Sequence, residues 1–510
     1  MATMEPVITN KEPLRQIHTL GSVRHRHEQT NEIILIPHPS QNPNDPLNWS
    51  QAKKYYMATL ICLAMFMCNF VAAGPTIAIV ETATDFFPTA GSAGMTGAIF
   101  KTAYFFTSTA LIQGVGNLFW MPFVNKYGRR PVYLASYTLY LGVALWLSFT
   151  TSYSSFLAAR ILMGLAAGAA ETMAPLSIAD GDLYTSALSC GVAGGIIIDG
   201  LITIHNTWRT IYYIATALIG GLLALVFFTF PETNYNRNVV SVAGSETTPT
   251  QEKSSLSTKY LETGINPNVP PRRTYMQDLQ ILSGTYTSES LVNLFLRPLA
   301  LIILPPVLWG SLVMSVTIGF LVAVTSNVAL AYDAAYGFEA WQTGLCFISA
   351  IVGSLIGIFI GGHMSDKMAD WFTKRNGGVR EPEMRLPSIA YKLHWMCPTV
   401  GLGLLNFSIV QATNVSLVYT IDCYRPIAGE ITVTTIALKS CFGFLLSFYT
   451  NPWVDKEGYL NAFGAMASIS SAALLLVVPM YIFGKTIRHV TWHWRVVKFV
   501  HWDDDREVGE

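Results

Sequence analysis

Residues 57–80 read MATLICLAMFMCNFVAAGPTIAIV, a stretch without a single charged side chain. Crossing the ~30 Å hydrocarbon core of a bilayer takes about 20 apolar residues in a helix rising ~1.5 Å per residue. This stretch is long enough to do so. Working outward with a window of about nineteen residues, similar stretches recur near 96–120, 132–150, 154–178, 183–204 and 210–230. Five more follow near 299–326, 340–362, 396–421, 427–450 and 460–484. Six and five make eleven apparent spans, so the expectation is an all-α membrane protein built as two bundles.

Composition agrees with that reading. Of 510 residues, 51% are hydrophobic and only 13% charged, about half the ~25% charged fraction of a soluble domain. Lys+Arg and Asp+Glu both number 32, so no basic excess exists to hold a phosphate backbone, and nucleic acid is excluded as a partner. Cys62, Cys68, Cys190, Cys346, Cys397, Cys423 and Cys441 sit in or beside apolar blocks with no CxxC pair. They read as packed thiols, and neither metal nor cofactor is expected. In residues 1–50 the longest apolar run, Ile33 to Ile36, is too short for a signal-peptide core.

Polar stretches divide the chain. Residues 1–55 form an N-terminal tail, 56–230 a six-helix bundle, 231–298 a linker rich in Ser, Thr and Pro, 299–484 a second bundle with five apparent spans, and 485–510 a C-terminal tail. Basic residues in short loops favour the cytoplasm. Lys126, Arg129 and Arg130 after span 2, and Lys367, Lys374, Arg375, Arg380 and Arg385 after span 8, place those loops, the linker and the N-terminus inside. Eleven crossings then strand the C-terminal Lys485, Arg488, Arg495 and Lys498 outside, against the same rule. One crossing is missing between Arg385 and Trp395.

The loops after spans 2 and 8 echo each other: Asn125-Lys126-Tyr127-Gly128-Arg129-Arg130 and Gly362-His363-Met364-Ser365-Asp366-Lys367 each set a small polar or acidic residue before a lysine at a helix end. Repeats of this kind mark secondary transporters whose halves rock around a central site. With Asp45-Pro46-Leu47-Asn48-Trp49, Lys126-Tyr127-Gly128-Arg129-Arg130-Pro131, Arg160 with Gly164 and Gly168, Pro231-Glu232-Thr233 and Arg380-Glu381-Pro382-Glu383-Met384-Arg385-Leu386, the chain over residues 45–490 resembles the major facilitator superfamily. Within it the resemblance is to the fungal proton-coupled drug and polyamine transporters. It implies a two-bundle fold of twelve spans, proton-driven transport of a drug, polyamine, organic cation or secondary metabolite, a plasma-membrane location and a monomer.

The chain also departs from that pattern. Ala179-Asp180-Gly181-Asp182 is all that stands between spans 4 and 5, where the branch has a longer acidic-arginine loop, and the helix after Leu386-Pro387-Ser388-Ile389 is absent. Asn125 stands where many members have Asp, Met121 where many have Gly, and Val192 where the antiporter motif has Pro. A mis-spliced gene model and a degenerate transporter both remain open.

Ionisable groups inside spans are costly unless they face protein or water. Arg160 and Glu171 are eleven residues apart, which returns to within roughly 20° of one helix face about 16 Å along. Glu171 reads either as a cation or proton site or as a carboxylate tied to a neighbouring helix. The resemblance places Arg160 near proton coupling, the alternative being an ion pair that fixes the bundle. Asp199 is expected at the depth of Arg160, in a structural salt bridge with it. Glu430 and Lys439 are nine residues apart and face opposite ways; Lys439 is the cavity candidate and Glu430 an interfacial one. Lys101 can snorkel. The loop residues Asn125, Lys126, Gly128, Arg129, Arg130, Asp366 and Lys367 read as a cytoplasmic gate, latching against Glu232, or as an orientation signal alone. Gly353, Gly357 and Gly361, like Gly191 and Gly195, recur every four residues as packing faces, with no Walker lysine to suggest an ATP-driven pump. No nucleophile and base pair points to an enzyme. The expected function is a secondary transporter of a small organic solute, partnered by protons and the lipid bilayer. A proton-independent facilitator and a non-transporting sensor are the alternatives.

Overall fold

The computed structural model describes residues 23–24, 42–88, 92–178, 181–235, 273–282, 284–357, 363–375, 379–380 and 398–494. It is helical throughout, apart from a two-residue antiparallel pairing of Val23–Arg24 with Val379–Arg380.

The first half opens on a capped turn. Asp45, fully buried, accepts the amide of Leu47 at 3.0 Å, while Lys54 donates to the Leu47 carbonyl at 2.7 Å. Ser50 then caps helix α1 (Gln51–Ala73). Pro75 cannot continue the α-helical ladder, and a 3-10 turn, Gly74–Ala78, intervenes before α2 (Ile79–Phe86). There follow α3 (Ser92–Tyr127), α4 (Arg129–Phe149), α5 (Tyr153–Ile178), α6 (Gly181–Ile202) and α7 (Arg209–Thr229).

A short helix α8 (Tyr275–Asp278) and α9 (Leu291–Leu301) lead into the second half. It comprises α10 (Pro305–Tyr336), α11 (Ala340–Cys346), α12 (Ile348–Gly357), α13 (His363–Arg375), α14 (Pro398–Cys423), α15 (Ala428–Leu475) and α16 (Val477–Trp492). Helix α15 is broken at Gly458, where φ is 77°.

Among the described residues, nine stretches are both long and apolar enough to cross a membrane. The expected eleven are not reached by that measure. Helix α3, 36 residues long, falls outside it because polar residues such as Gln113 and Asn117 interrupt its apolar run; in α14, 26 residues long, the side chains of residues 398–404 lie outside the described residues. The missing crossing inferred between Arg385 and Trp395, the loop residue Asp180 and Cys397 lie outside the described residues. The six described cysteines are free thiols.

Packing explains the apolar surface. Only 33% of the α7 window and 17% of the window over Asn461–Trp492 is buried, so these helices turn large residues such as Leu218, Phe228, Val478 and Phe483 outward. In water a patch of that extent is a liability; against lipid it is the required finish. Inside, one large apolar cluster is drawn mostly from α1 and α3–α7. A second gathers Leu304, Trp309, Tyr419, Tyr424 and Ile431 of the second half.

Candidate functional site

Where the halves meet, α3 and α15 lie against each other in three layers. At the first, Lys439 of α15 pairs with Oε1 of Glu171 on α5, and Gln113 of α3 donates to Oε2 of the same carboxylate at 3.2 Å. Glu171 is 2% exposed and Lys439 6%. The second layer is apolar: Leu118 and Met121 of α3 pack on Val433 and Ala437 of α15. In the third, Asn125 at the end of α3 donates to Oε1 of Glu430 at 3.2 Å.

Above the first layer lies a cavity of about 190 Å³, formed by α1, α3, α5 and α6 on one side and α10 and α15 on the other. Glu171, Gln113 and Lys439 lie among its polar lining, while Phe100, Phe106 and Phe444 supply aromatic faces. An apolar chamber with one acid–base pair at its base suits a small organic solute carrying a polar head. The chamber and the loop bearing Lys126 lie on opposite sides of the Leu118–Ala437 layer along both α3 and α15.

The sequence placed Glu171 and Lys439 in the cavity separately, and the structure brings them together across the two halves. Arg160 and Asp199 are not brought together. Arg160, fully buried, donates from Nη1 to the Val71 carbonyl at 2.9 Å and from Nε to the Phe105 carbonyl at 3.2 Å, and lies 4.9 Å from the Phe106 ring. Pro75, four residues beyond Val71, has no N–H to offer that carbonyl, so the guanidinium takes the vacant acceptor. No ion pair joins it to Asp199 among the described residues, which corrects the expected salt bridge. Glu430 likewise is not interfacial: at 2% exposure it is buried between the halves.

The basic loop is tied largely within the first half. Gly128 adopts φ 93°, a left-handed conformation natural to glycine, and has no side chain with which to cap α4. Glu232 caps it from a distance: its carboxylate accepts the amides of Arg129 and Arg130 at 3.0 and 3.1 Å, and those of Thr233 and Asn234 at 2.9 and 2.8 Å. A carboxylate at a helix N-terminus is favoured by both the dipole and the orphan amides. Arg130 runs back to the carbonyls of Val226, Phe227 and Phe230. Glu232 thus fastens α4 to the end of α7 rather than latching one half on the other. Lys126 reaches towards the second half: its ammonium donates to the Glu289 carbonyl at 3.4 Å, and Glu289 pairs with Arg297 at 2.6 Å. In α13, Lys367 is exposed; the side chain of Asp366 lies outside the described residues.

Replacing Glu232 by Ala is expected to cost about 2–3 kcal/mol, as for charge-assisted hydrogen bonds to buried amides, with Glu232→Gln losing less. Thermal unfolding of the detergent-solubilised chain measures both, and equal midpoints for wild type and Glu232→Ala would remove the capping role.

The sequence reading missed Gln113 and the apolar layer. Their signal was present as Gln113, Asn117, Met121 and Asn125, spaced four apart on one face of α3.

Three comparisons relate the chain to known proteins. Residues 59–379 match the family model described as Major Facilitator Superfamily. The chain is 24% identical over 91% of both chains to Protein HOL1 of Saccharomyces cerevisiae. It is 25% identical to MFS transporter cpaT of Aspergillus oryzae, over 88% of this chain and 90% of that one. Among solved structures it is similar to the proton:xylose symporter XylE, with a TM-score of 0.53 at 15% identity, covering 88% of this chain and 100% of that one; at that identity the likeness concerns fold alone. The matched region takes in the basic loop, both walls of the first bundle and Glu171, and so the chain, a multi-pass membrane protein of the solute-transport class, belongs to the Major Facilitator Superfamily.

Proposed function

We propose that the chain is a proton-coupled carrier of small organic cations, of the drug and polyamine kind, working by alternating access in the plasma membrane as a monomer with its N-terminus in the cytoplasm. The observation that carries this reading is the Glu171–Lys439 pair, contributed by opposite halves at the base of an apolar cavity. An incoming cation or proton competes with the Lys439 ammonium for the Glu171 carboxylate. When it wins, the charge tie between the halves is lost and the Leu118–Ala437 layer is free to part. Gln113 holds the second carboxylate oxygen meanwhile, keeping Glu171 aimed at the cavity. A ligand shifts such an equilibrium only by its differential affinity for the two arrangements, and a group that binds Glu171 in place of Lys439 has that difference built in. Asn125, Lys126 and Glu430, closing the opposite side, act as the gate in this scheme, while Gly128, Arg129, Arg130 and Glu232 hold the loop that carries it.

The purified full-length chain in proteoliposomes, offered radiolabelled spermidine or ethidium, tests the reading. An imposed proton gradient is expected to drive one of them uphill, and a protonophore to stop it. No flux from correctly inserted protein would reject the carrier; flux indifferent to the protonophore would reject the proton coupling.

A further inference from the structure

Helix α9 (Leu291–Leu301) is not needed to cross the bilayer. It starts at Ser290, which accepts the amide of Asn293 at 3.3 Å, and stops at the turn 302–304, before Pro305 opens α10. From there Pro305–Val324 supplies an apolar stretch of 20 residues. That is about 30 Å of helix, which already matches the hydrocarbon core. The ~16 Å of α9 therefore lies outside the crossing.

Its two faces differ. Leu294, Arg297 and Leu301 are buried, whereas Val292, Phe295, Leu296 and Leu299 are exposed. The exposed four fall at i, i+3, i+4 and i+7 and so form one stripe. In water such a stripe is a liability. It is continuous with the outer surface of α10, because Ile303, Leu308 and Leu312 carry the exposed apolar run onwards. With Ser290 and Asn293 exposed at its polar start, a helix of this build lies in the interface, its stripe beneath the headgroups.

The buried face holds both halves: α9 packs on α3 and on α15. At its last turn the Ile302 amide bonds the Ala300 carbonyl, which leaves the Pro298 carbonyl to another donor. Thr434 of α15, next to Val433 of the apolar layer, supplies one at 2.6 Å. Towards the first half, Arg297 pairs with Glu289, whose carbonyl receives the Lys126 ammonium, while the Tyr286 amide donates to the Lys126 carbonyl at 2.9 Å. One short helix thus ties the basic loop at the end of α3 to α15, across the gate.

We propose that α9 is a lipid-seated staple: its Val292–Leu299 stripe binds the acyl region of the leaflet on the basic-loop side, and its inner face holds α3 against α15. The gate then parts only when α9 shifts within that leaflet. Lipid becomes a ligand of the closed arrangement, favouring it by the difference in lipid contact between the two arrangements. This deepens the gate of the reading above and rests on it, although the first test needs no transport.

The full-length chain carrying photoreactive benzoylphenylalanine in place of Phe295 is illuminated in phosphatidylcholine vesicles and weighed. Acyl-chain adducts are expected from that position, and crosslinks within the chain from the same group in place of Leu294. A crosslink from position 295 to a second copy, or no lipid adduct there, would overturn the seating. The staple is read from the thiol of Val433→Cys. Adding Leu296→Glu penalises the seated position alone, so that thiol is expected to react with a water-soluble maleimide roughly tenfold faster. Leu296→Ile should leave the rate unchanged. Should Leu296→Glu fail to insert, Leu296→Ser serves. An unchanged rate in the inserted variant would overturn the staple. Failure of the carrier itself shows separately, as no flux from the unsubstituted chain.

Discussion

Glu171→Gln is expected to abolish gradient-driven accumulation and, in the same step, to destabilise the chain by about 3–5 kcal/mol, the usual cost of stranding one member of a buried ion pair. Lys439 is 6% exposed and its pairing partner is Glu171, so the variant leaves an ammonium between the halves facing only an amide. Lys439→Gln strands the carboxylate instead and should cost a similar amount. The double variant Glu171→Gln/Lys439→Gln removes both charges and is expected to recover most of that loss, since a buried pair as a whole contributes little net stability against neutral replacements. Recovery of stability without recovery of coupling is the decisive pattern. Thermal unfolding of the four proteins gives the cycle, and flux at imposed gradients gives the coupling. If the two single losses simply add in the double variant, the residues do not act as a unit, and a carrier mechanism built on their competition is wrong.

The pairing explains what a sequence discloses and what it withholds. Spans were legible because apolarity along 20-residue windows is a local property, and the turn at Asp45–Trp49 and the loop at Gly128–Arg130 were legible as motifs. Glu171 and Lys439 are separated by 268 positions, and no periodicity links residues that distant; only the packing of α3 and α5 against α15 sets them face to face. Arg160 and Asp199 fail for a related reason. Counting residues from the turn gives depth in the membrane but not direction around each helix. Arg160 turns toward carbonyls on α1 and α3, whereas Asp199 turns to the backbone of Gly74. Glu232 shows the opposite limit: its neighbours Arg129 and Arg130 were identified, but the sequence suggested side-chain latching where the carboxylate in fact takes their backbone amides.

Two glycines that face different partners separate folding from transport. A Cβ on Gly164 of α5 would meet the Thr109 carbonyl of α3 at 2.4 Å, a contact inside the first bundle; one on Gly114 of α3 would meet Oγ of Ser440 on α15 at 2.0 Å, a contact between the halves. Neither contact is relieved by turning a side chain alone, since the Cβ added at Gly114 would also overlap Cβ of Ser440, and the Thr109 carbonyl facing Gly164 is backbone. Gly164→Val therefore has no escape short of prising α3 from α5, and overpacking of that kind costs ~1–3 kcal/mol or more; a lowered unfolding midpoint and poor insertion are expected. Gly114→Val has an escape, because the second bundle can rock away as a rigid body. It is expected to keep nearly the wild-type unfolding midpoint while losing flux by tenfold or more, which corresponds to ~1.4 kcal/mol or more against the closed interface. Thiol labelling of a cysteine introduced at Val433, in the apolar layer, reports the same shift: slow in the wild-type background and fast with Gly114→Val. Equal labelling in both backgrounds would mean that α3 and α15 do not part during the cycle. The Leu118–Ala437 layer would then be a fixed core, and the site of alternating access would have to be sought elsewhere in the molecule.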